Sequence, residues 1–186
     1  MDPPLSQKGM LQGGMLDKVL REEHLSAIYT STLQRTVETA RPTANFHKMT
    51  IRKEAALKEM HLGILQGRFR DERDPEAQDL WEARTRNRLY YRIPEGETFL
   101  ELEQRVASCL KDILKKEKGG VVLIIGHRNT NRVILSALMG WSPEHVGGLG
   151  LRSKYLYEIT LGEKPGIQTI SLDEKKNGRK YDGFKV

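Results

Sequence analysis

Apolar residues recur along this chain in two spacings, and each switch between them marks an element boundary. Residues 121–125, Val-Val-Leu-Ile-Ile, form an unbroken apolar run between Gly119-Gly120 and Gly126. So short a run, β-branched and bounded by glycines, predicts a strand buried on both faces. The spacing then turns helical at once, with Val133, Ile134, Ala137 and Leu138 on one side. A second unit of this kind begins with a strand over residues 26–29. The hydroxyl-rich turn Thr30-Ser31-Thr32 follows, and then a helix through Leu33, Arg35, Val37 and Ala40 as far as Pro42. Before it, Ser6 reads as the N-cap of an amphipathic helix carrying Leu11, Met15, Leu16, Val19 and Leu20 to about His24.

A short strand is expected over residues 49–52. Around residues 57–67, Gly63 and Gly67 predict a loop whose backbone approaches something closely. Residues 68–92 are highly charged, with Trp81 as the main apolar anchor, and read as an inserted helical excursion. Thr98 and Glu101 have the spacing of a capping box, opening a long helix through Leu102, Val106, Leu110, Ile113 and Leu114. Residues 155–161 and 167–172 alternate as strands around a Gly-Glu-Lys-Pro-Gly turn and predict an edge hairpin. Residues 175–186 read as a loose basic tail.

Strands alternating with helices give an α/β three-layer α/β/α sandwich with a mostly parallel sheet. The whole is one domain over residues 1–174, with the helical insert at 68–92 and the tail at 175–186. Only two parallel strands are clear, so the sheet reads one strand short.

Both strand-to-helix junctions carry candidate chemistry. His127 ends one strand just before a helix start, and Arg35 lies in the first turn of the other helix. Ligands of open α/β sheets bind at that edge, and a helix start favours anions. The plainer alternatives are a polar crossover loop with Asn129 as N-cap and an arginine that is merely solvated.

Composition narrows this picture. The 186 residues include one cysteine, Cys109, which excludes an internal disulfide framework and fits a reducing, cytoplasmic location. No apolar run reaches membrane-spanning length, so no membrane partner is expected. A net charge of +6 favours acidic small molecules. Nucleic acid is not expected, because no recognised motif accompanies the charge. Arg84, Arg86, Arg88 and Arg92 either select a second acidic group on a ligand or are solvated helix arginines. No His, Cys or carboxylate spacing suggests a metal site.

The blocks Asp2-Pro3-Pro4-Leu5-Ser6 with Gly9 and Gln12, and residues 31–40, Ser-Thr-Leu-Gln-Arg-Thr-Val-Glu-Thr-Ala, resemble two sequence blocks of the histidine phosphatase superfamily. This is the superfamily of the cofactor-dependent phosphoglycerate mutases and related phosphatases. Leu57, Glu59, Gly63 and Gly67 are similar to its acid-bearing block, and Pro94, Gly96, Glu97 and Thr98 to its "P-G-G-E-S" turn. Gly126-His127 through Arg132 resembles its second histidine motif. The resemblance implies a phosphoglycerate mutase-like fold and phosphomonoester hydrolysis or mutase chemistry through phosphohistidine, with no metal and no cofactor. It implies His127 as second histidine, Glu59 as general acid or base, and Arg35 as phosphate clamp. The backbone N–H of Arg128 adds a further donor, and the partner is a phosphorylated small molecule.

Two departures stand against this. The chain contains no Arg-His-Gly triplet, the family's nucleophile motif, which lies at the end of its central first strand. That strand is expected before Asp2 in the natural protein, and without it the chain is expected to be inactive or impaired. Arg128-Asn129-Thr130-Asn131 also replaces the small glycines usual after the second histidine. The alternative expectation is an inactive phosphate-ligand or protein-binding module of the same fold. An open gap in the sheet exposes strand edges, which self-association into a homo-oligomer would cover.

Overall fold

The computed structural model describes residues 2–142, 144–145 and 149–185. Residues 7–139 build a parallel sheet between two helical layers. Strand β1 (Leu25–Thr30) lies between β2 (Ile51–Lys53) and β3 (Val121–Ile125), both parallel to it. Helices α1 (Gln7–Leu20) and α2 (Gln34–Phe46) pack on one face, and α4 (Phe99–Lys116) and α5 (Arg128–Met139) on the other. The alternation of side chains along β1 builds both cores. Ile28 joins Leu16, Leu20, Ala40 and Ala44 on the α1/α2 side, whereas Ala27 and Tyr29 join Leu102, Val106 and Val133 on the α4/α5 side.

Local signals set several boundaries as the sequence predicts. Ser6 caps α1 by accepting the Gly9 N–H at 3.2 Å. At α4 the capping box closes both ways: the Glu101 N–H donates to Thr98 Oγ1 and the Thr98 N–H to Glu101 Oε2. The insert folds as α3 (Pro75–Arg86), capped by Asp74, over a small core of Leu65, Ala77 and Ile93. Trp81 packs at its margin and donates its indole N–H to the Phe69 carbonyl at 3.0 Å.

Other expectations are corrected. Helix α1 stops at Leu20 rather than near His24, and α2 runs through Pro42 to Phe46. The missing N–H of Pro42 costs one helical bond, but Thr43 and Ala44 beyond it are buried and hold the last turn in place. Strand β3 is not buried on both faces: Val121 is 48% exposed, and among the described residues β3 pairs on one side only. The second short strand is Ile51–Lys53, shifted from the expected 49–52. The C-terminal segment is not a loose tail. Its Lys180–Asp182 is strand β6, antiparallel to β5 (Gly166–Ser171), which in turn pairs with β4 (Tyr155–Thr160) as the expected hairpin. The Thr169 hydroxyl fastens β6 by donating to the Gly183 carbonyl at 2.7 Å.

The strands therefore fall into two sheets, ordered β2-β1-β3 and β4-β5-β6. Among the described residues, β3 and β4 each have a strand partner on one side only. Leu123 and Ile125 of β3 nevertheless share an apolar cluster with Leu156 of β4 and with Leu172.

The segment between β2 and α3 positions the site. Gly63 has φ +50°, and a Cβ there would lie 1.8 Å from the Pro94 carbonyl oxygen. The two loops touch backbone to backbone, as the Ile64 N–H to Pro94 carbonyl bond at 3.1 Å shows. Gly63→Ala is accordingly expected to cost roughly 2 kcal/mol or more, because it combines a left-handed φ with a backbone clash. A thermal melt matching the parent chain would contradict this account of the loop.

Candidate functional site

The carboxyl ends of β1 and β3 are neighbours, so the residues just beyond them meet. Ser31 follows β1 and His127 follows β3, and Ser31 Oγ lies 2.8 Å from His127 Nε2. On the other side of the ring, Arg35 Nη2 lies 3.1 Å from Nδ1. A guanidinium can only donate. His127 Nδ1 is therefore the acceptor, Nε2 carries the proton, and Nε2–H donates to Ser31. Ser31 Oγ also accepts the Leu33 N–H at 3.1 Å, which leaves its own proton for Thr36 Oγ1 at 2.9 Å. This chain of bonds fixes the ring, and its partners Ser31, Leu33, Arg35 and Thr36 all sit where β1 turns into α2.

His127 is 7% exposed. Burial, then the nearby Arg35 and Arg105 guanidinium groups, push its pKa down from 6.5 to about 4, with Asp2 opposing. The imidazole is thus neutral at pH 7. His127 rather than Asn129 is the N-cap of α5, so the helix begins one residue past the histidine. Arg128 is the first residue of α5, and its backbone N–H is one of those at a helix start with no partner inside the helix. Its side chain is exposed.

Glu59 meets the same helix start. Its Oε1 accepts the N–H of Asn129 at 3.2 Å and of Met60 at 2.8 Å. A carboxylate at a helix N-terminus is favourably placed by charge. The loop carrying Glu59 is tied down from α4, where Arg105 donates to the carbonyl oxygens of Ala56, Lys58 and Glu59 and pairs with Glu97 at 2.6 Å. Thr130 Oγ1 adds a bond to the Lys58 carbonyl at 2.7 Å. The structure thus brings Arg35, His127, Glu59 and the start of α5 into one place.

Sequence reasoning missed three contributors. Ser31 stood inside a motif but was given no part. Arg105 lies among the charges of the amphipathic helix α4, and only the tertiary fold shows its carbonyl partners. Asp2 caps the start of α2 by accepting the Gln34 N–H at 2.9 Å, and it lies 3.9 Å from Arg35 Nη1. Of the insert arginines, Arg86 and Arg92 are exposed as solvated charges should be, but Arg84 is only 8% exposed. His61 is exposed, and its Nδ1 accepts the Gly63 N–H at 3.2 Å. Among the described residues no group of three or more His, Cys, Asp or Glu is arranged to hold a metal, and no helix is long and apolar enough to cross a membrane.

The depressed His127 pKa fixes the sign of a pH effect. Between about pH 6.5 and 4 the unfolded chain binds the proton that the folded chain refuses. The histidine therefore costs nothing above about 6.5, and stability falls as the pH drops towards 4. The full penalty is on the order of 3 kcal/mol. In His127→Gln the melting temperature is expected to fall less steeply over that window than in the parent. Parallel curves for the two proteins would show that His127 is not held neutral.

Comparison with known proteins covers nearly the whole chain. The family model for the histidine phosphatase superfamily (branch 1) matches residues 1–170. The probable phosphoglycerate mutase GpmB of Yersinia pestis is 29% identical over 166 residues, covering 89% of this chain and 77% of that protein. Among solved structures, a putative alpha-ribazole-5'-P phosphatase from Escherichia coli superposes with a TM-score of 0.80 at 20% identity, covering 90% of this chain and 83% of that one. Mycobacterial glucosyl-3-phosphoglycerate phosphatase, solved with inorganic phosphate, gives a TM-score of 0.74 at 22% identity, covering 86% and 81%. These likenesses establish the phosphoglycerate mutase-like α/β fold. With the family match spanning nearly its whole length, the chain belongs to the histidine phosphatase superfamily.

Proposed function

We propose that this site handles phosphomonoesters of small molecules, with hydrolysis through a phosphohistidine as the reaction. The observation that carries the reading is the Arg35–His127 contact at 3.1 Å, set at two strand ends and beside a helix start. A phosphoryl group needs donors around its oxygens, and here they are the planar fork of Arg35, His127 and the backbone N–H of Arg128. Glu59 is the acid–base group: as the P–O bond breaks, it gives its proton to the leaving alkoxide, and it then takes one from the attacking water. The family's nucleophile is the histidine of an Arg-His-Gly triplet, which these 186 residues lack. This reading assigns the N–P bond to a histidine beyond them, with His127 as second histidine. Relatives of both kinds share this fold, a probable phosphoglycerate mutase at 29% identity and phosphatases at 20–22%.

A second reading is favoured by one observation. None of the other described histidines hydrogen-bonds to Arg35, His127 or Glu59. In this reading the chain is a phosphate-ligand or protein-binding module that keeps the clamp and has no nucleophile.

Release of p-nitrophenol from its phosphate, with acid-quench detection of phosphohistidine, separates the two. Protein purified from its own cells is expected to turn over. Glu59→Gln and His127→Ala should each lower kcat by about 10²–10⁴-fold. Full activity in either variant would remove that residue from the mechanism. No turnover, together with phosphate binding that Arg35→Ala abolishes, would establish the module instead.

A further inference from the structure

The hydroxyls behind His127 run in one direction, and the backbone sets that direction. Ser31 and Thr36 are both buried. Thr36 Oγ1 donates to the Leu33 carbonyl at 2.8 Å, with the Ser31 carbonyl a second acceptor at 3.2 Å. A carbonyl only accepts, so the Thr36 proton is committed there and its oxygen is left to accept. Ser31 Oγ, 2.9 Å away, gives its proton to that oxygen while accepting the Leu33 N–H at 3.1 Å. The remaining lone pair of Ser31 Oγ then faces His127 Nε2 at 2.8 Å.

That direction decides what the other face of the ring can do. Without the Thr36 hydroxyl, Nε2 is the acceptor left among the contacts of Ser31 Oγ, and a buried hydroxyl proton turns to the acceptor it has. Nε2 would then accept, and the proton of a neutral ring would move to Nδ1. Thr36 prevents that exchange, so the neutral ring shows a bare lone pair at Nδ1. In the free protein Arg35 satisfies it at 3.1 Å. Among the described residues, Arg35 and Ser31 are the hydrogen-bond partners of the ring, and no carboxylate bonds to it. The charged groups around it are Arg35 from α2, Arg105 from α4 and Asp2 ahead of α1. Glu59 stands one contact away, on the Asn129 N–H at the start of α5, where the Arg128 side chain is exposed. An anion that draws Arg35 to itself therefore meets a lone pair at Nδ1 unless a proton comes with it.

We propose that Thr36, acting through Ser31, is a positioning residue that holds His127 in the Nε2–H form, so that the site takes an anion together with a proton. The inference rests on the phosphomonoester reading above for the anion, and on the hydroxyl geometry alone for the form of the ring. The proton arrives in either of two ways. A monoanionic phosphomonoester keeps one P–O–H group, which donates to the bare Nδ1. A dianion instead requires Nδ1 to gain a proton from solvent, and the ring becomes an imidazolium whose Nε2–H still has Ser31 as acceptor. In both cases Ser31 and Thr36 keep their bonds, and in both the binding tightens as the pH falls. Thr36 thereby sets the ionisation state that the site selects, the ligand with one proton more.

Nitrogen NMR of the histidine-labelled protein without ligand tests the form of the ring. Arg35→Met removes the donor to Nδ1 and leaves the hydroxyls in place, and His127 is expected to keep its proton on Nε2. In the double variant Arg35→Met, Thr36→Val, valine fills the volume of Thr36 without its hydroxyl, and Nδ1–H is expected to become the major form. Arg35→Met, Thr36→Ser returns a hydroxyl and should return the proton to Nε2. A ring that already carries Nδ1–H in Arg35→Met, or that stays Nε2–H in the valine double variant, overturns the proposal. The second of these results, joined to a lower melting temperature, would mean that Thr36 only braces the start of α2. Calorimetric titration with inorganic sulfate, a dianion throughout, tests the consequence for binding. The parent is expected to bind more tightly as the pH falls from about 8 to about 5, whereas Thr36→Val should show a shallower dependence and bind about fivefold tighter than the parent near pH 8. Matching pH dependence in the two proteins contradicts the proposal. If sulfate binds neither protein while the ring form follows Thr36, the phosphomonoester reading fails and the assignment of Thr36 stands.

Discussion

The Ser31–His127 hydrogen bond joins the carboxyl ends of two adjacent parallel strands, and the site is arranged around it. Strand pairing sets the register, because Thr30 lies opposite Ile125 and the chain leaves both strands at the same level. Ser31 and His127 are then brought together by the sheet itself. From that point α2 delivers Arg35 to one ring nitrogen, and α5 begins immediately after the histidine. The price of this arrangement is a buried histidine that cannot easily take a proton. Glu59 comes from outside the sheet and needs its own anchoring, supplied by Arg105, Thr130 and the close contact at Gly63.

Charge is distributed around the site with a consistent bias. Arg35 and Arg105 both disfavour protonation of His127, and Asp2 partly offsets them. Near Glu59, Arg84 is buried with its Nε unpartnered, whereas Arg132 is held by the Leu149 carbonyl and Asn129. The exposed arginines of the same insert behave differently: Arg92 pairs with Glu101, and Arg73 with Asp71. The excess positive charge of the sequence is thus partly a property of this one region, which suits an anionic ligand better than a diffuse basic surface would.

Much of this was legible in the chain. A glycine-bounded apolar run located β3, a short strand before the turn Thr30-Ser31-Thr32 located β1, and the switch to helical spacing located α2 and α5, and with them His127 and Arg35. Capping chemistry marked the starts of α1 and α4. Other features were hidden for identifiable reasons. Pro42 looked like a helix stop, but buried Thr43 and Ala44 carry α2 past it. The β6 strand was masked by its charged flanks, since its pairing depends on Thr169 and β5 rather than on its own composition. Exposure could not be assigned within a run of arginines, because α3 turns Arg84 inward and Arg86 outward. The role of Arg105 depends on carbonyl groups more than forty residues away in the chain. The sheet departs from the single, mostly parallel one expected: it divides into a parallel β2-β1-β3 part and an antiparallel β4-β5-β6 part, with β3 and β4 each paired on one side among the described residues.

In the proposed function, His127 waits as a neutral ring, bound by Arg35, until a phosphoryl group arrives. When an anion draws the Arg35 guanidinium to itself, His127 Nδ1 loses its donor and faces negative charge. It should then bind a proton and become a donor itself. Nitrogen-detected NMR of the labelled histidine, titrated with pH in the presence and absence of inorganic phosphate, reads this directly. The account predicts titration near 4 without phosphate, a proton on Nε2 above that pH, and a pKa raised by about one unit or more when phosphate is bound. Ordinary titration near 6.5 in the free protein, or a pKa that phosphate leaves unmoved, would contradict it.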